Sequence, residues 1–139
     1  MKAFYYGVGG LLLLLTALSG CAGSSEYLVE GTPKAVGAKG DLQIEEIDGG
    51  NNMVTLKLEH LPRPQQLGEG LESYVAWILP PYRAPINAGT LAFDEDSREG
   101  NVMATTPLDN FIFKVTAESN EKATAPSSVV IVEQHVNTD

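Results

Sequence analysis

The residue with the clearest chemical potential is Cys21, the single cysteine of the 139-residue chain. A thiol is a strong nucleophile, and it is also a group to which cells attach lipids. Before it, Lys2 precedes an apolar run, and the small residues Ser19 and Gly20 stand directly at the cysteine. These features are typical of a secretory signal peptide. A plain secretory signal would leave the thiol unpaired in an oxidising compartment, so acylation explains Cys21 better.

The four residues Leu18-Ser19-Gly20-Cys21 match the lipobox of bacterial lipoproteins at every position, and the chain resembles that family here. The resemblance implies that the Cys21 thiol receives a diacylglycerol, that cleavage occurs before Cys21 and that the new amino group is acylated. Two or more chains would anchor the protein firmly, at about 0.8 kcal/mol per buried methylene. A retained membrane helix is the weaker alternative because residues 4–18 number only 15, and a bilayer core needs about 20.

The residue after the cysteine bears on localisation. In Gram-negative lipoproteins an Asp at this position is the usual signal for retention in the inner membrane, whereas this chain has Ala22. The resemblance therefore implies the periplasmic face of the outer membrane. In a Gram-positive host this inference does not apply.

The charge of the chain limits its partners. Cleavage before Cys21 leaves 119 residues, which is one ordinary domain, with eight basic and 18 acidic residues and a formal charge of −10. This charge opposes nucleic acids and anionic lipid headgroups, so we exclude nucleic acid as a partner. With Cys21 acylated no disulfide is available, and stability must come from the hydrophobic core.

Other catalytic arrangements are weak. The histidines His60 and His135 lie 75 residues apart near predicted strand ends, and sharing a metal ion would require the fold to bring them together. Solvated histidines are the commoner case. Ser127 and Ser128 lack a neighbouring base, and the sequence has no Gly-x-Ser-x-Gly motif. We predict that the protein is not an enzyme and uses no cofactor.

A cluster of carboxylates formed by Asp94, Glu95, Asp96 and Glu99 is the place where calcium could bind, since carboxylate oxygens are its preferred ligands. An EF-hand loop requires Asp or Asn at its fifth position and Gly at its sixth. Counted from Asp94, those positions hold Arg98 and Glu99. We therefore predict a solvated acidic hairpin rather than a metal site.

The elements that position these residues follow one pattern from residue 41 onward. Short runs rich in Val, Ile, Thr and aromatic residues alternate apolar with polar positions and are separated by Gly, Pro, Asn and Asp. The predicted strands are residues 42–47, 53–61, 73–79, 90–93, 101–106, 110–118 and 128–136. Seven short strands in about 100 residues predict an all-β fold, an antiparallel β-sandwich of immunoglobulin-like type without a disulfide.

The segment before the domain is rich in Gly, Ser and Pro, which predicts a flexible tether. Its apolar island, residues 27–29, either belongs to the tether or docks on the domain as a short edge strand. The predicted organisation is a signal peptide over residues 1–20, an acylated tether over 21–40 and a β-sandwich domain over 41–139.

Trp77 lies in the middle of the third predicted strand, where immunoglobulin sandwiches bury a Trp between their sheets. This comparison predicts that Val75, Trp77 and Leu79 face the core. Tyr74 and Ile78 would then face solvent and form an apolar patch, and such patches often mark contact sites. The alternative is that the proline-rich loop before the strand, or the tether, covers them.

A second candidate contact lies in the loop after this strand. Tyr82 and Arg83 follow two prolines, and Pro85 comes two residues later. Prolines restrict φ and would present Tyr82 and Arg83 rigidly, and both residue types are enriched in binding hot spots. The alternative is an ordinary connection in which proline prevents edge pairing. The predicted partner contacts are Tyr74, Ile78, Tyr82 and Arg83.

The order of several blocks resembles the extracytoplasmic domain of RskA-like anti-sigma-K factors. The blocks are Leu61-Pro62-Arg63-Pro64, Tyr74-Val75-Ala76-Trp77, Gly89-Thr90-Leu91, residues 111–118 and Pro126-Ser127-Ser128. Regulatory members also carry a cytoplasmic sigma-binding segment and a membrane helix, which we do not find, so direct sigma-factor inhibition is not carried over. The resemblance implies a β-sandwich with a sensing or docking role in the envelope.

Together these features predict an envelope lipoprotein whose membrane-anchored domain is a non-catalytic interaction or structural module. Its expected partners are the membrane, through its acyl chains, and an envelope protein. The alternative is a sensor-like regulatory module that acts through a separate membrane partner.

Overall fold

The computed structural model of the protein describes residues 23–139, so Cys21 and the signal residues lie outside the described part. Nine strands and two short helices make up this part of the chain. The strands are β1 (Ser24–Glu30), β2 (Lys39–Ile47), β3 (Asn51–Glu59), β4 (Ser73–Leu79), β5 (Ile86–Thr90), β6 (Ala92–Asp94), β7 (Glu99–Thr106), β8 (Asn110–Glu118) and β9 (Val130–Asn137). A 3₁₀ helix covers Pro33–Ala35, and the single turn of α1 covers Pro64–Leu67.

The strands form two antiparallel sheets. Sheet A has the order β1-β2-β3-β7-β6, and sheet B has the order β5-β4-β8-β9. Without β1, these orders correspond to the A-B-E-D and C′-C-F-G sheets of an immunoglobulin sandwich. The predicted immunoglobulin-like β-sandwich is confirmed, with nine strands instead of about seven.

The first strand differs from the tether expected over residues 21–40. β1 pairs with β2 along its whole length, from Ser24 opposite Glu45 to Glu30 opposite Lys39. Val29 is buried in the core, and the backbone N–H of Thr32 donates to the carbonyl of Ile131 at 2.8 Å. Residues 24–30 therefore form an edge strand of the domain, as in the docked alternative.

Alternation along β3 and β8 determines which faces form the core. Val54, Leu56 and Leu58 of β3 are buried, as the sequence pattern predicts. The predicted inward face of β8 is also confirmed, because Phe111 and Phe113 belong to the main hydrophobic cluster together with two smaller residues on the same face, Val115 and Ala117.

The prediction for β4 is wrong about its faces. Ile78 lies opposite Phe113 and Trp77 lies opposite Lys114, and directly paired residues share one face of a sheet. Ile78 therefore faces the core with Phe113, as does Tyr74, and their exposed fractions are 3% and 1%. Trp77 lies on the outer face of sheet B, yet it is 0% exposed.

A buried polar network surrounds Trp77 on that outer face. The indole Nε1 donates to Thr116 Oγ1 at 2.8 Å, and this hydroxyl donates to Glu118 Oε2 at 3.0 Å. The backbone N–H of Ser127 lies 3.0 and 2.9 Å from the two carboxylate oxygens of Glu118. The Glu118 carboxylate therefore joins β8 to the loop that follows it.

That loop, residues 119–129, accounts for the burial of Trp77. The side chain of Asn87 on β5 donates to the carbonyls of Glu121 and Ala123 at 3.1 and 3.0 Å. Since the loop starts at β8 and reaches β5, it crosses β4, which lies between them in sheet B. The loop thus forms a cover over the outer face at this end of the sheet.

Tyr74 joins the core to the loop before β4. Its ring packs edge to face on Phe93 with centroids 5.4 Å apart, and its hydroxyl donates to the carbonyl of Pro62. Burial raises the pKa of the Tyr74 phenol, and this effect outweighs the opposing influence of the Arg98 guanidinium. The neutral phenol is thus the form that the folded protein favours.

This pKa shift predicts an alkaline loss of stability. Because the folded-state pKa lies above the ordinary value of 10.0, the contribution of Tyr74 is fully present below about pH 10 and is lost as pH rises further. The loss is at most about 1.4 kcal/mol per pH unit. Tyr74→Phe should cost about 1 kcal/mol near neutral pH and should show a flatter decline above pH 10. Urea unfolding at a series of pH values measures both, and parallel declines would contradict the assignment.

Candidate contact site

One end of the sandwich is the end at which Gly23, the first described residue, lies. The backbone N–H of Glu46 donates to the carbonyl of Gly23 at 3.0 Å. The side chain of Asn52, near the start of β3, donates to Asp109 Oδ1 at 2.9 Å. The backbone N–H of Thr138 donates to the Asp109 carbonyl at 2.9 Å. Gly23, the β2–β3 turn, the β7–β8 loop and the end of β9 therefore lie together, at what we call the proximal end.

The loop that carries Tyr82 and Arg83 also belongs to the proximal end. β4 ends at Leu79, which pairs with Ile112. Ile112 lies near the start of β8, which begins directly after Asp109. Residues 80–85 therefore leave the sheet at this end. Both predicted contact residues are exposed, and the Tyr82 side chain has a relative exposure of 106%.

Backbone geometry holds this loop in a defined shape. Tyr82 has a φ of 58°, in the left-handed region that costs a residue with a side chain about 1 kcal/mol or more. Pro80 is buried, and Pro81 and Pro85 restrict the neighbouring dihedral angles. Strained residues persist where the surrounding structure fixes them, and they are often found at ligand sites. Tyr82 is thus presented to solvent by a restricted loop.

A shallow groove of about 450 Å³ lies beside the loop on the outer face of sheet B. Its floor is a row of paired residues from three strands, Leu79 of β4, Ile112 of β8 and His135 of β9. His135 Nε2 lies 2.8 Å from Asn110 Oδ1 at the edge of the groove. The wall consists of the loop residues Pro80, Pro81, Tyr82, Arg83 and Pro85. The groove therefore has a floor that is apolar at Leu79 and Ile112 and polar at His135, and it carries an aromatic ring and a guanidinium on its wall.

The charges around this site are unequal. Arg83 takes part in neither of the Lys and Arg ion pairs found in residues 23–139, which join Arg63 to Glu95 and Lys114 to Glu133. Elsewhere on the proximal end, a polar cleft of about 350 Å³ is lined by Glu46, Asp109 and Asp139 together with Gly23. The proximal end thus presents the Arg83 guanidinium at the groove and several carboxylates at a separate cleft.

The four residues predicted as partner contacts fall into two groups. Tyr82 and Arg83 are exposed and line the groove, in agreement with the expected loop. The expectation that Tyr74 and Ile78 face solvent is wrong, because the register with β8 turns both into the core. The groove floor was missed for the same reason, since the reversed face assignment sent Leu79 inward.

The two histidines are not brought together. His60 follows β3 at the end of the sandwich opposite Gly23, whereas His135 lies in β9 of the other sheet, near the proximal end. Across residues 23–139, no three side chains of His, Cys, Asp or Glu are grouped so that they could hold a metal ion.

The acidic cluster forms the exposed hairpin between β6 and β7. Asp94 Oδ1 accepts hydrogen bonds from the backbone N–H groups of Asp96 and Ser97 at 2.8 and 3.1 Å. Arg98 turns the chain with a φ of 59°, and its guanidinium Nε donates to the Leu61 carbonyl at 3.0 Å. The Asp94 carboxylate therefore shapes the turn, as expected for a solvated acidic hairpin.

Comparisons with known proteins give no identification. No family model, no curated protein and no solved structure matches this chain at a significant level. Among the helices in the described part, none is both long and apolar enough to cross a membrane. The fold and the proximal end, taken with the sequence motif around Cys21, are therefore the basis for a functional assignment.

Proposed function

We propose that the protein is an envelope lipoprotein, anchored by acyl chains on Cys21, whose mature part is a non-catalytic immunoglobulin-like interaction or structural module. The observation that carries the proposal is Leu18-Ser19-Gly20-Cys21, which ends three residues before β1 begins at Ser24. Cleavage before Cys21 would leave only Ala22 and Gly23 between the acylated residue and the first strand. By the same resemblance, Ala22 favours the periplasmic face of the outer membrane.

The interaction role is supported by the β4–β5 loop and its groove. Tyr82 is an exposed aromatic residue in a restricted conformation, and Arg83 lies beside it without an ion pair in the described part. Tyr and Arg provide much of the binding energy at many protein interfaces. We therefore assign the contact site to residues 80–85 and to the groove floor formed by Leu79 and Ile112.

Labelling with a palmitate analogue tests the anchor in a bacterial host that processes lipoproteins. Wild-type protein should incorporate the label and fractionate with membranes, because acyl chains on Cys21 would bind it almost irreversibly. Cys21→Ser should lose the label completely and retain the uncleaved signal. The matched control is Cys21→Ser combined with Ser24→Cys, which restores an exposed thiol three residues away from the lipobox.

The control separates recognition of the motif from simple reaction of a thiol. If acylation depends on the lipobox, the displaced cysteine stays unlabelled. Label that survives in Cys21→Ser, or wild-type protein that carries no label, would refute the anchor and with it the proposed function.

A further inference from the structure

The short distance between the proposed anchor and the domain restricts the position of the sandwich. Gly23 is two Cα steps from Cys21, a separation of at most about 7 Å. The headgroup layer on each side of a bilayer is about 5–7 Å thick. An acylated Cys21 would therefore hold the proximal end at the headgroups. The opposite end lies about 20 Å away, since β1 has seven residues.

The β4–β5 loop is the part of the proximal end best suited to that environment. Tyrosine is favoured at membrane interfaces because its ring is apolar and its hydroxyl is polar. Tyr82 is fully exposed, and the neighbouring Arg83 offers a guanidinium that matches a phosphate group. β1 meets β9 at one edge of sheet B, where the Tyr27 hydroxyl donates to the Asn137 carbonyl at 3.2 Å. Sheet B is three strand spacings wide, so the loop lies within about 14 Å of that edge.

Charge selects the type of lipid. Glu46, Asp109 and Asp139 line a cleft with Gly23, and these carboxylates would repel phospholipids that carry a net negative charge. A zwitterionic headgroup instead offers an ammonium group to the carboxylates and a phosphate to Arg83. The proximal end is thus complementary to a zwitterionic surface.

We infer that the loop of residues 80–85 rests in the headgroup layer of the bilayer that holds Cys21, with zwitterionic phospholipid as its partner. This inference rests on the proposed function, because it requires the acyl anchor. It names the membrane itself as the partner of the Tyr82 and Arg83 site, and it gives the sandwich a fixed orientation with its opposite end toward solvent.

The test uses the acylated protein, in which an introduced cysteine is the sole free thiol. An environment-sensitive fluorophore is attached at Ala84→Cys, which keeps Tyr82 and Arg83 intact. The matched control carries the fluorophore at Val36→Cys, 84% exposed in the β1–β2 connection at the opposite end. Both proteins are reconstituted in vesicles of phosphatidylethanolamine and phosphatidylcholine, and vesicle flotation verifies anchoring independently.

The expected result is a blue-shifted emission and protection from iodide quenching at position 84, with neither change at position 36. Adding Tyr82→Asn, which tolerates the left-handed backbone, should reduce the blue shift, as should replacing part of the lipid with phosphatidylglycerol. Protein that floats but has a water-exposed fluorophore at position 84 would overturn the inference and leave the loop to a protein partner. Failure to float would instead refute the anchor.

Discussion

Replacing Trp77 by alanine should lower the free energy of unfolding by about 3–5 kcal/mol, the usual range for a buried tryptophan. Trp77 is completely buried, and it is the largest of the fully buried side chains in the described part of the protein. The substitution would leave a cavity between β4 and the covering loop, and Thr116 would lose the hydrogen bond from the indole. Urea denaturation followed by circular dichroism measures the loss without relying on the fluorescence of the residue removed.

Trp77→Phe provides the matched control. Phenylalanine retains an aromatic ring but lacks the Nε1–H donor, so we expect a smaller loss, with about 1 kcal/mol from the missing hydrogen bond and the rest from reduced volume. A destabilisation under about 1 kcal/mol for Trp77→Ala would contradict the burial of this face by residues 119–129.

Sequence patterns predicted strands best where polar and apolar residues alternate. Within β8, Lys114 separates Phe113 from Val115, so the inward face follows from side-chain chemistry alone. β4 offers no such contrast, because residues 74–79 are all apolar or aromatic. Its orientation is set by its register with β8, which is a long-range property.

The two strands that were not among the seven predicted have weak local signals. β5 contains Ile86 but also Asn87 and Gly89, and its pairing with β4 shifts register between Ala76 and Trp77. β1 lies in a Gly-rich and Ser-rich segment and becomes a strand by pairing with β2. Tertiary pairing outweighs local propensity in both cases.

The candidate site was predictable in part. Tyr82 and Arg83 could be identified because prolines mark a restricted loop. The groove floor could not, since Leu79, Ile112 and His135 are distant in sequence and meet only through the registers of three strands. The same holds for the polar network beneath the covering loop, which joins residues from β4, β8 and the β8–β9 connection.

Glu118→Ala should cost about 3 kcal/mol, because it removes a charged acceptor from a buried network. Glu118 is 5% exposed, and its carboxylate accepts hydrogen bonds from the Ser127 N–H and the Thr116 hydroxyl. Without it, both donors lose their partner and the covering loop loses one of its attachments to β8, although the Ser127 hydroxyl still donates to the Ala117 carbonyl. We expect faster hydrogen exchange at the Ser127 amide and earlier proteolytic cleavage within residues 119–129, together with a lower midpoint of urea unfolding.

Glu118→Gln distinguishes the role of charge from that of an acceptor. Glutamine keeps one carbonyl oxygen for Ser127 or Thr116, so its loss of stability should lie between those of wild type and Glu118→Ala. Glu121→Ala, an exposed side chain in the same loop, should change stability by less than about 0.5 kcal/mol. Equal losses in the alanine and glutamine variants would show that a neutral acceptor oxygen cannot replace the charge. A loss in Glu118→Ala as small as that in Glu121→Ala would show that the carboxylate does not hold the loop. The loop would then be held to the sheet by the Asn87 amide, by the Ser127 hydroxyl, which donates to the Ala117 carbonyl at 2.7 Å, and by backbone hydrogen bonds.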